Sequence, residues 1–169
     1  MIHIYFGDGK GKSTAACGLA VRAAGSGMRV LFVQFLKEGS SAELTALQTL
    51  KTIEFLFLPR HFGWFKTLSE EQRAALKADT AAMLAQVRTH AAQYELIVLD
   101  EALWAYTFET LERETLLSFL KQEGQQREIV LTGREAPPEL LALADYATNM
   151  QKVHHPFDKG IGARKGIEY

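Results

Sequence analysis

The sequence predicts an α/β fold, with helices on both sides of a largely parallel central sheet. Two observations support this prediction. Short apolar runs alternate with helical patterns along the chain, and a glycine-rich loop joins the first apolar run to the first helical one. Alternating strands and helices form parallel sheets, because each helix carries the chain back across the sheet. Ligands of such sheets bind beyond the carboxyl ends of the strands, so polar residues that directly follow a strand are the first candidates for a site.

The glycine-rich loop follows the apolar residues 2–6 and precedes the helical pattern of residues 15–24. Its sequence is Gly7-Asp8-Gly9-Lys10-Gly11-Lys12-Ser13-Thr14. Glycines let backbone N–H groups face an anion, and a helix N-terminus adds a partial positive charge. We therefore predict a P-loop that binds nucleotide phosphates, with Lys12 on phosphate oxygens and the Ser13 hydroxyl on Mg²⁺.

The spacing of this loop is unusual. Gly7 and Gly11 are separated by three residues instead of the usual four, and Phe6 occupies the place of the usual first glycine. This form argues against an ordinary hydrolysis geometry. The alternative interpretation is a flexible surface turn rich in Gly and Lys, which the flanking strand and helix disfavour.

Composition indicates one ordinary globular domain over residues 1–169, with 47% hydrophobic and 23% charged residues. The net charge of −1 argues against nucleic acid as a partner, and no apolar stretch is long enough to predict a membrane span. Cys17 is the only cysteine, which excludes an internal disulfide and suits a reducing compartment; we expect it to be buried in packing. Because Met1 leads directly into the first strand, no signal peptide is predicted, and we expect a cytoplasmic protein.

The remaining elements follow in order. A capping box at residues 69–72 opens a long helix to about residue 93, whose apolar stripe should face the sheet: Leu76, Met83, Leu84, Val87 and Ala91. Further strands are predicted at residues 29–36, 52–58, 95–99, 128–131 and 146–153. Further helices are predicted at residues 42–50 and 111–123 and after Pro137-Pro138.

Charged residues at the ends of two predicted strands are candidates for binding Mg²⁺ or phosphate. The fourth strand ends in Asp100-Glu101, as expected of the second Mg²⁺-binding element of a P-loop protein. The alternative is an acidic pair that caps a helix, and the sequence does not decide which carboxylate would touch the ion. Arg134 follows the fifth strand and would either clamp phosphate or cap its turn.

Two further segments combine bulky and charged residues. The loop at residues 59–65 contains Phe62 and Trp64, which would either pack beneath the loop or form a platform for a large flat ligand. The tail at residues 154–169 interleaves basic and apolar residues, so we expect it to fold back on the domain rather than remain solvated. His154-His155 lacks the spaced partners of a zinc site.

The sequence offers no obvious catalytic base. It contains no elbow-type serine and no Cys–His pairing that could be argued. Transfer chemistry would depend on positioning and electrostatics, or on a nucleophile brought by the second substrate.

Together these motifs closely resemble the ATP:corrinoid adenosyltransferases of the type that carries a P-loop. The resemblance spans nearly the whole chain, and the three-residue loop spacing is the form found in that family. It rests on the loop at residues 7–14, Val33-Gln34-Phe35, Phe62-Gly63-Trp64, Val98-Leu99-Asp100-Glu101, Leu131-Thr132-Gly133-Arg134, and the tail segments His155-Pro156-Phe157-Asp158-Lys159-Gly160-Ile161 and Gly166-Ile167-Glu168-Tyr169.

The resemblance implies a single P-loop (RecA-like) domain that binds MgATP and a corrinoid. A Co(I) centre would attack the 5′ carbon of ATP, releasing triphosphate and leaving an adenosyl–cobalt bond, in adenosylcobalamin biosynthesis or salvage. Since Co(I) is itself a strong nucleophile, no catalytic base is needed. The family also holds ATP in reversed orientation over its loop.

The resemblance also implies roles for residues of this chain. Lys12 and the loop amides would hold phosphates, and Ser13 with Glu101 or Asp100 would hold Mg²⁺. The family's aromatic pair beneath the corrin ring corresponds to Phe62 and Trp64. The tail would contribute corrinoid contacts through two residues, His155 and Phe157.

Further expectations follow from the same resemblance: a homodimer, and an electron-donating reductase or flavoprotein as partner. Two departures from the family pattern are visible. Ser13 stands where Thr is commoner, which keeps the hydroxyl. The N-terminal extension that covers the active site in well-known members has no counterpart here, so we expect the corrinoid to be shielded differently.

Two other classes of function use the same loop. A small-molecule kinase or ATPase would need a positioned carboxylate such as Glu101, and a nucleotide sensor would need no turnover. The products discriminate them: triphosphate for the transferase, ADP or phosphate for the kinase or ATPase, and none for the sensor. The natural corrinoid and the physiological reductant remain open from the sequence.

Overall fold

A computed structural model describes residues 1–37, 39 and 41–168; Glu38, Ser40 and the last residue of the predicted tail, Tyr169, lie outside the described residues. Its centre is a parallel sheet with the spatial order β3-β2-β4-β5-β1-β6. The strands are β1 (Ile2–Phe6), β2 (Val30–Gln34), β3 (Ile53–Phe57), β4 (Leu96–Asp100), β5 (Glu128–Thr132) and β6 (Tyr146–Asn149). The predicted α/β fold with a parallel sheet is confirmed.

Six α-helices connect or flank the strands within the described part of the chain. They are α1 (Lys12–Gly25), α2 (Ala42–Leu47), α3 (Glu70–His90), α4 (Ala102–Thr107), α5 (Arg113–Glu123) and α6 (Pro138–Leu141). Short 3₁₀ turns occur at Phe65–Thr67, Ala91–Gln93 and Pro156–Lys159. The sequence predicted each of these helices except α4, in which four of six residues are buried, so that it has no polar face to give a helical period.

The two faces of the sheet bury separate apolar clusters. Alternate residues of β4 point to opposite faces, with Leu96 and Val98 on the α1 side and Ile97 and Leu99 on the α3 side. All five residues of the stripe predicted for the long helix are buried on the α3 side. The predicted capping box is present too, since the Gln72 N–H donates to Ser69 Oγ (3.2 Å) and the Ser69 N–H donates to Gln72 Oε1 (2.9 Å).

Cys17 is a free, buried residue of α1, as predicted from its small neighbours. Burial raises the pKa of its thiol to about 12, so it is uncharged at neutral pH. None of the described helices combines the length and the apolarity needed to cross a bilayer.

The last strand is shorter than the sequence predicted. It ends at Asn149, and the next residues leave the sheet and cross the glycine-rich loop, where the Gly9 N–H donates to the Met150 carbonyl (2.7 Å). The predicted strand at residues 146–153 therefore includes residues whose backbone is bonded to the loop.

We predict that Gly18→Ala stabilises the protein by about 1 kcal/mol, because Gly18 lies in an exposed helical position and an added Cβ would meet no atom within 4 Å. Urea denaturation monitored by circular dichroism would measure the change. The matched control is Gly124→Ala, whose Cβ would lie 2.7 Å from Ile2 Cγ1 and which should not stabilise. A lower free energy of unfolding for Gly18→Ala would contradict the prediction.

Candidate active site

Four chain segments that follow strands meet at the carboxyl edge of the sheet. They are the glycine-rich loop after β1, the turn after β2, the acidic pair at the end of β4 and the turn after β5. Because all these strands are parallel, their carboxyl ends lie side by side. The sequence predicted three of these segments as parts of a site and missed the turn after β2.

The conformation of the glycine-rich loop requires glycine at two positions. Gly7 and Gly11 have left-handed φ values of 115° and 113°, and a Cβ on Gly7 would collide with the carbonyl oxygen of Met150. The Gly7 N–H donates to the Arg134 carbonyl (2.8 Å). The loop is thus held between the turn after β5 and the chain that leaves β6.

The first turn of α1 suits an anion. Gly11 is its N-cap residue, no side chain caps the turn, and no acidic residue lies within it. By contrast, Ser69 caps α3 and Glu112 caps α5 with side-chain hydrogen bonds. Uncapped N–H groups at the positive end of a 14-residue helix favour a phosphate there.

Lys12 lies in the interior of its own loop, where its ammonium donates to the Gly9 carbonyl (2.5 Å). Burial lowers the pKa of Lys12, and the charge of Arg134 lowers it further, while Glu101 raises it. The exposed Arg134 lies beside this loop, since its carbonyl accepts the Gly7 N–H (2.8 Å).

The other loop residues have different surroundings. The Asp8 carboxylate accepts the Lys152 N–H (2.9 Å), so this side chain binds the crossing segment. Lys10 is exposed. Its charge contributes a little to the lowered pKa of Glu168, which is about 2 chiefly because Arg164 donates hydrogen bonds to that carboxylate. Thr14 is exposed on α1.

Asp100 is the most enclosed charge of the site, with no exposed surface. Its Oδ1 accepts from the hydroxyls of Ser13 and Thr132, each at 2.7 Å. Its Oδ2 accepts from Lys37 Nζ (2.9 Å) and from Gln34 Nε2 at the longer distance of 3.4 Å. The bond from Ser13 joins the P-loop directly to the acidic strand end.

Glu101 has a strained backbone and a more open side chain. Its φ is 61°, and its N–H donates to Thr132 Oγ1 (2.9 Å), which holds the left-handed turn between β4 and α4. Its side chain retains 28% exposure. Burial raises the pKa of Glu101, the charge of Asp100 raises it further, and Lys37 and Lys12 oppose the shift.

Three residues of the site were not identified from the sequence as chemical groups: Gln34, Lys37 and Thr132. Gln34 and Thr132 are the last residues of strands that are otherwise nearly all apolar, and both are 1% exposed. A polar residue that ends an apolar buried strand is a signal that could have found them. Lys37 contacts Asp100 because β2 lies next to β4, and the sequence pattern does not predict that strand order.

The side-chain oxygens of this site are of the kinds that Mg²⁺ binds. Ser13, Asp100 and Glu101 supply a hydroxyl and two carboxylates, and Mg²⁺ binds one or two carboxylates together with phosphate oxygens and water. The described residues include no group of three or more His, Cys, Asp or Glu side chains suited to a metal. Mg²⁺ at these residues would complete its coordination shell with phosphate oxygens and water.

The two aromatic residues of the loop after β3 have different environments. Phe62 packs against the α3-side core, with Arg60 over its ring at 5.7 Å, whereas Trp64 is 80% exposed. Gly63 between them has a φ of 73°, so the segment is not uniformly extended and alternate residues need not share a face. The i, i+2 spacing of Phe62 and Trp64 therefore does not by itself place both rings on one side of the loop.

A ring stack fixes the end of this aromatic loop. Phe65 is parallel to Phe108, with centroids 4.2 Å apart, and Trp104 contacts Phe108 at 4.8 Å. Trp104 lies in α4, which begins directly after Glu101. The loop is therefore anchored to the helix that follows the acidic pair.

The tail residues predicted to contact a corrinoid follow β6, the edge strand that lies across the sheet from β3. His155 Nδ1 accepts the Phe157 N–H (3.1 Å) at the start of a 3₁₀ turn, and the Phe157 ring is 74% exposed. The aromatic loop follows edge strand β3 and the tail follows edge strand β6, so their starting points are about 24 Å apart at about 4.8 Å per strand. Residues 150–152, which precede the tail, cross the P-loop. The described apolar side chains of the tail stay largely exposed, so the expectation that the tail folds back on the domain is wrong for these side chains.

Comparison with solved structures supports the fold. The chain superposes on the flagellar accessory protein FlaH from Methanocaldococcus jannaschii with a TM-score of 0.55 and 14% identity, over 88% of this chain and 69% of that one. It also superposes on EssC (ATPases 2 and 3) from Geobacillus thermodenitrificans with a TM-score of 0.54 and 14% identity, over 99% of this chain and 36% of that one. At this identity the likeness concerns the fold alone.

Comparison with curated proteins gives closer relatives. A corrinoid adenosyltransferase of Pseudomonas aeruginosa is 33% identical over 168 residues, covering 98% of this chain and 82% of that protein. The corrinoid adenosyltransferase CobA of Salmonella typhimurium is 34% identical over 176 residues, covering 100% of this chain and 85% of that protein. Escherichia coli K12 has a corrinoid adenosyltransferase that is 32% identical over 173 residues, with the same coverage.

The family model described as ATP:corrinoid adenosyltransferase BtuR/CobO/CobP matches residues 1–169. This match agrees with the P-loop, the acidic strand end and the relatives above, and it does not favour a kinase or a general ATPase. The chain belongs to the ATP:corrinoid adenosyltransferase family.

Proposed function

We propose that this protein transfers the 5′-deoxyadenosyl group of MgATP to the Co(I) centre of a corrinoid and releases triphosphate, in adenosylcobalamin biosynthesis or salvage. The observation that carries the proposal is the 2.7 Å hydrogen bond from Ser13 to Asp100, which makes the P-loop and the acidic strand end one site. That site lies in a chain whose whole length matches the adenosyltransferase family model.

The bond changes balance without a catalytic base. The Co(I) electron pair forms the cobalt–carbon bond, the bond between C5′ and its oxygen breaks, and the electrons of that bond leave with triphosphate. Lys12 and the uncapped N-terminus of α1 stabilise the negative charge that develops on the leaving phosphates. The protein contributes position and electrostatics, and the substrate contributes the nucleophile.

The metal would be held by Ser13 and Glu101. The Ser13 hydroxyl donates a hydrogen bond to Asp100, so the lone pairs of its oxygen are available to a cation. Asp100 already accepts from four donors, whereas Glu101 is more open, so we assign Asp100 to orientation and Glu101 to ligation. Mg²⁺ bound there would neutralise phosphate charge.

We assign the corrinoid to the side of the site that carries the aromatic loop. Phe62 anchors the loop to the core and Trp64 offers an exposed ring to a flat ligand. His155 and Phe157 would reach the ligand only by movement of the tail, which we include in the proposal. We further propose Arg134 as a phosphate contact, because its backbone is hydrogen-bonded to Gly7 of the P-loop and its side chain is exposed.

The remaining features of the proposal are the cellular setting and the partners. We propose a cytoplasmic enzyme, in keeping with its single free cysteine, and an electron-donating reductase or flavoprotein that supplies the low-valent cobalt. We also propose a homodimer. Exposed apolar residues on the tail and directly before it favour an association: Val153, Phe157, Ile161 and Ile167.

Product analysis tests the function. With MgATP and chemically reduced corrinoid, we expect adenosylated corrinoid and triphosphate in equal amounts, and a Lys12→Ala variant should lose about 10²-fold or more in rate because one preorganised charge on phosphate is lost. Chromatography of the nucleotides and phosphates measures both. Formation of ADP and phosphate instead would support the kinase or ATPase, and a normal rate for Lys12→Ala would remove Lys12 from the mechanism.

The carboxylates should determine the Mg²⁺ dependence. We expect Glu101→Gln to fold and to lose metal-supported activity, measured as rate against Mg²⁺ concentration, with the exposed Glu71→Gln as control. Asp100→Asn should also lower stability, by about 3 kcal/mol, because it leaves the ammonium of Lys37 without its buried partner. If both variants keep normal Mg²⁺ dependence, the acidic strand end is only structural.

The aromatic loop should govern reduction of cobalt. An axial ligand hinders reduction of Co(II), and a large ring without a lone pair can take that ligand's place. We expect Trp64→Ala to fold and bind ATP, to lose most activity from Co(II), and to keep more activity when Co(I) is supplied. Spectroscopy should show less four-coordinate Co(II) than in wild type with MgATP.

The contrast with Phe62→Ala separates the roles of the two rings. Phe62 packs on the core, so its truncation should also lower the melting temperature, whereas Trp64 is too exposed to stabilise the fold substantially. An unchanged four-coordinate population in the double variant would rule out the assignment.

A further inference from the structure

Lys37 occupies a position between the two carboxylates of the proposed metal site. Its ammonium lies 2.9 Å from Asp100 Oδ2 and 3.9 Å from Glu101 Oε1. Burial acts to lower the pKa of Lys37, but the charges of Asp100 and Glu101 outweigh it and the pKa is raised. The Lys37 ammonium thus contacts both Asp100, which orients Ser13, and Glu101, which is the proposed metal ligand.

The backbone on either side of the ion pair holds the Lys37 side chain beside the two carboxylates. Leu36 has a left-handed φ of 61°, which is unfavourable for a bulky residue, and the Lys37 carbonyl accepts the Leu58 N–H (3.0 Å). Glu101, on the other side of the ion pair, has a φ of 61° as well. Strained residues persist where the surrounding structure holds them, and here they flank one ammonium and its two carboxylates.

Gln34 adds a second, independent feature beside the ion pair. The residue is 1% exposed, and its Nε2 lies 3.4 Å from Asp100 Oδ2. Its Oε1 is buried and makes no hydrogen bond with any described residue. A buried amide oxygen without a donor is rare, and it favours a further polar group at this cluster when the site is filled.

We propose that Lys37 is an internal counter-ion of the metal site, which neutralises Asp100 and Glu101 until a divalent cation binds together with nucleotide. This inference rests on the metal site of the proposed function. The two carboxylates are balanced by the ammonium groups of Lys37 and Lys12 in the same site. A divalent cation alone would leave an excess of positive charge, and nucleotide phosphates remove that excess, so metal and nucleotide bind cooperatively.

Mn²⁺ binding to the full chain, measured by electron paramagnetic resonance with and without ATP, tests the proposal. Wild type should bind Mn²⁺ weakly alone and much more tightly with ATP. Lys37→Met keeps the length of the side chain but removes its charge, so it should bind Mn²⁺ without nucleotide about tenfold more tightly or better. The gain in affinity on adding ATP should shrink in that variant.

Two control variants separate charge from packing. Lys37→Arg should retain weak Mn²⁺ binding in the absence of ATP, and Lys121→Met, which removes an exposed lysine of α5, should behave as wild type. A role of Lys37 in stability alone would change the melting temperature of Lys37→Met without tightening Mn²⁺ binding. Mn²⁺ affinity in Lys37→Met that equals or falls below that of wild type overturns the proposal.

If Lys37→Met does not fold, Mn²⁺ binding to the wild-type protein with and without ATP still tests the proposal. Nucleotide-free wild type that binds Mn²⁺ as tightly as it does with ATP also overturns the proposal. None of these measurements needs a corrinoid or transfer of the adenosyl group. The triphosphate analysis described above can therefore fail while the counter-ion proposal stands, and the reverse also holds.

Discussion

The buried carboxylate of Asp100 is the constraint on which the site depends. A charge without solvent contact is tolerated only when it is paired and hydrogen-bonded, and Asp100 has an ammonium, two hydroxyls and an amide around it. These donors come from the P-loop helix, from β5, from the end of β2 and from the turn after it. One side chain thus fixes the relative positions of four segments that are distant in sequence.

The same requirement accounts for the strained backbone. A strand that ends in a buried carboxylate must turn sharply if the next carboxylate is to reach the open side of the site, and Glu101 makes that turn with a positive φ. Leu36 does the same on the neighbouring strand, which brings Lys37 back over Asp100. Of the three non-glycine residues with positive φ in the described part of the chain, Leu36 and Glu101 lie at the carboxyl edge of the sheet, where ligands bind, and Glu109 follows α4.

The sequence predicted the groups whose role is local and missed those whose role depends on neighbouring strands. The P-loop, the acidic pair and the capping box are written in consecutive residues, so pattern alone identifies them. The contacts of Lys37 and Gln34 with Asp100 exist because β2 and β4 are adjacent, and strand order is a property of the whole fold. The passage of residues 150–152 over the P-loop likewise follows from β6 pairing with β1.

Packing explains the position of one ring of the aromatic loop but not that of the other. Phe62 gains from burial and from Arg60 above its ring, so its position is explained by packing. Trp64 is 80% exposed, and leaving the largest side chain in water gives the folded chain almost nothing. The left-handed Gly63 directs the second ring away from the core that holds the first. Packing therefore fixes the loop through Phe62 and Phe65 but does not explain the position of Trp64, which the proposed function explains as a surface for a large flat ligand.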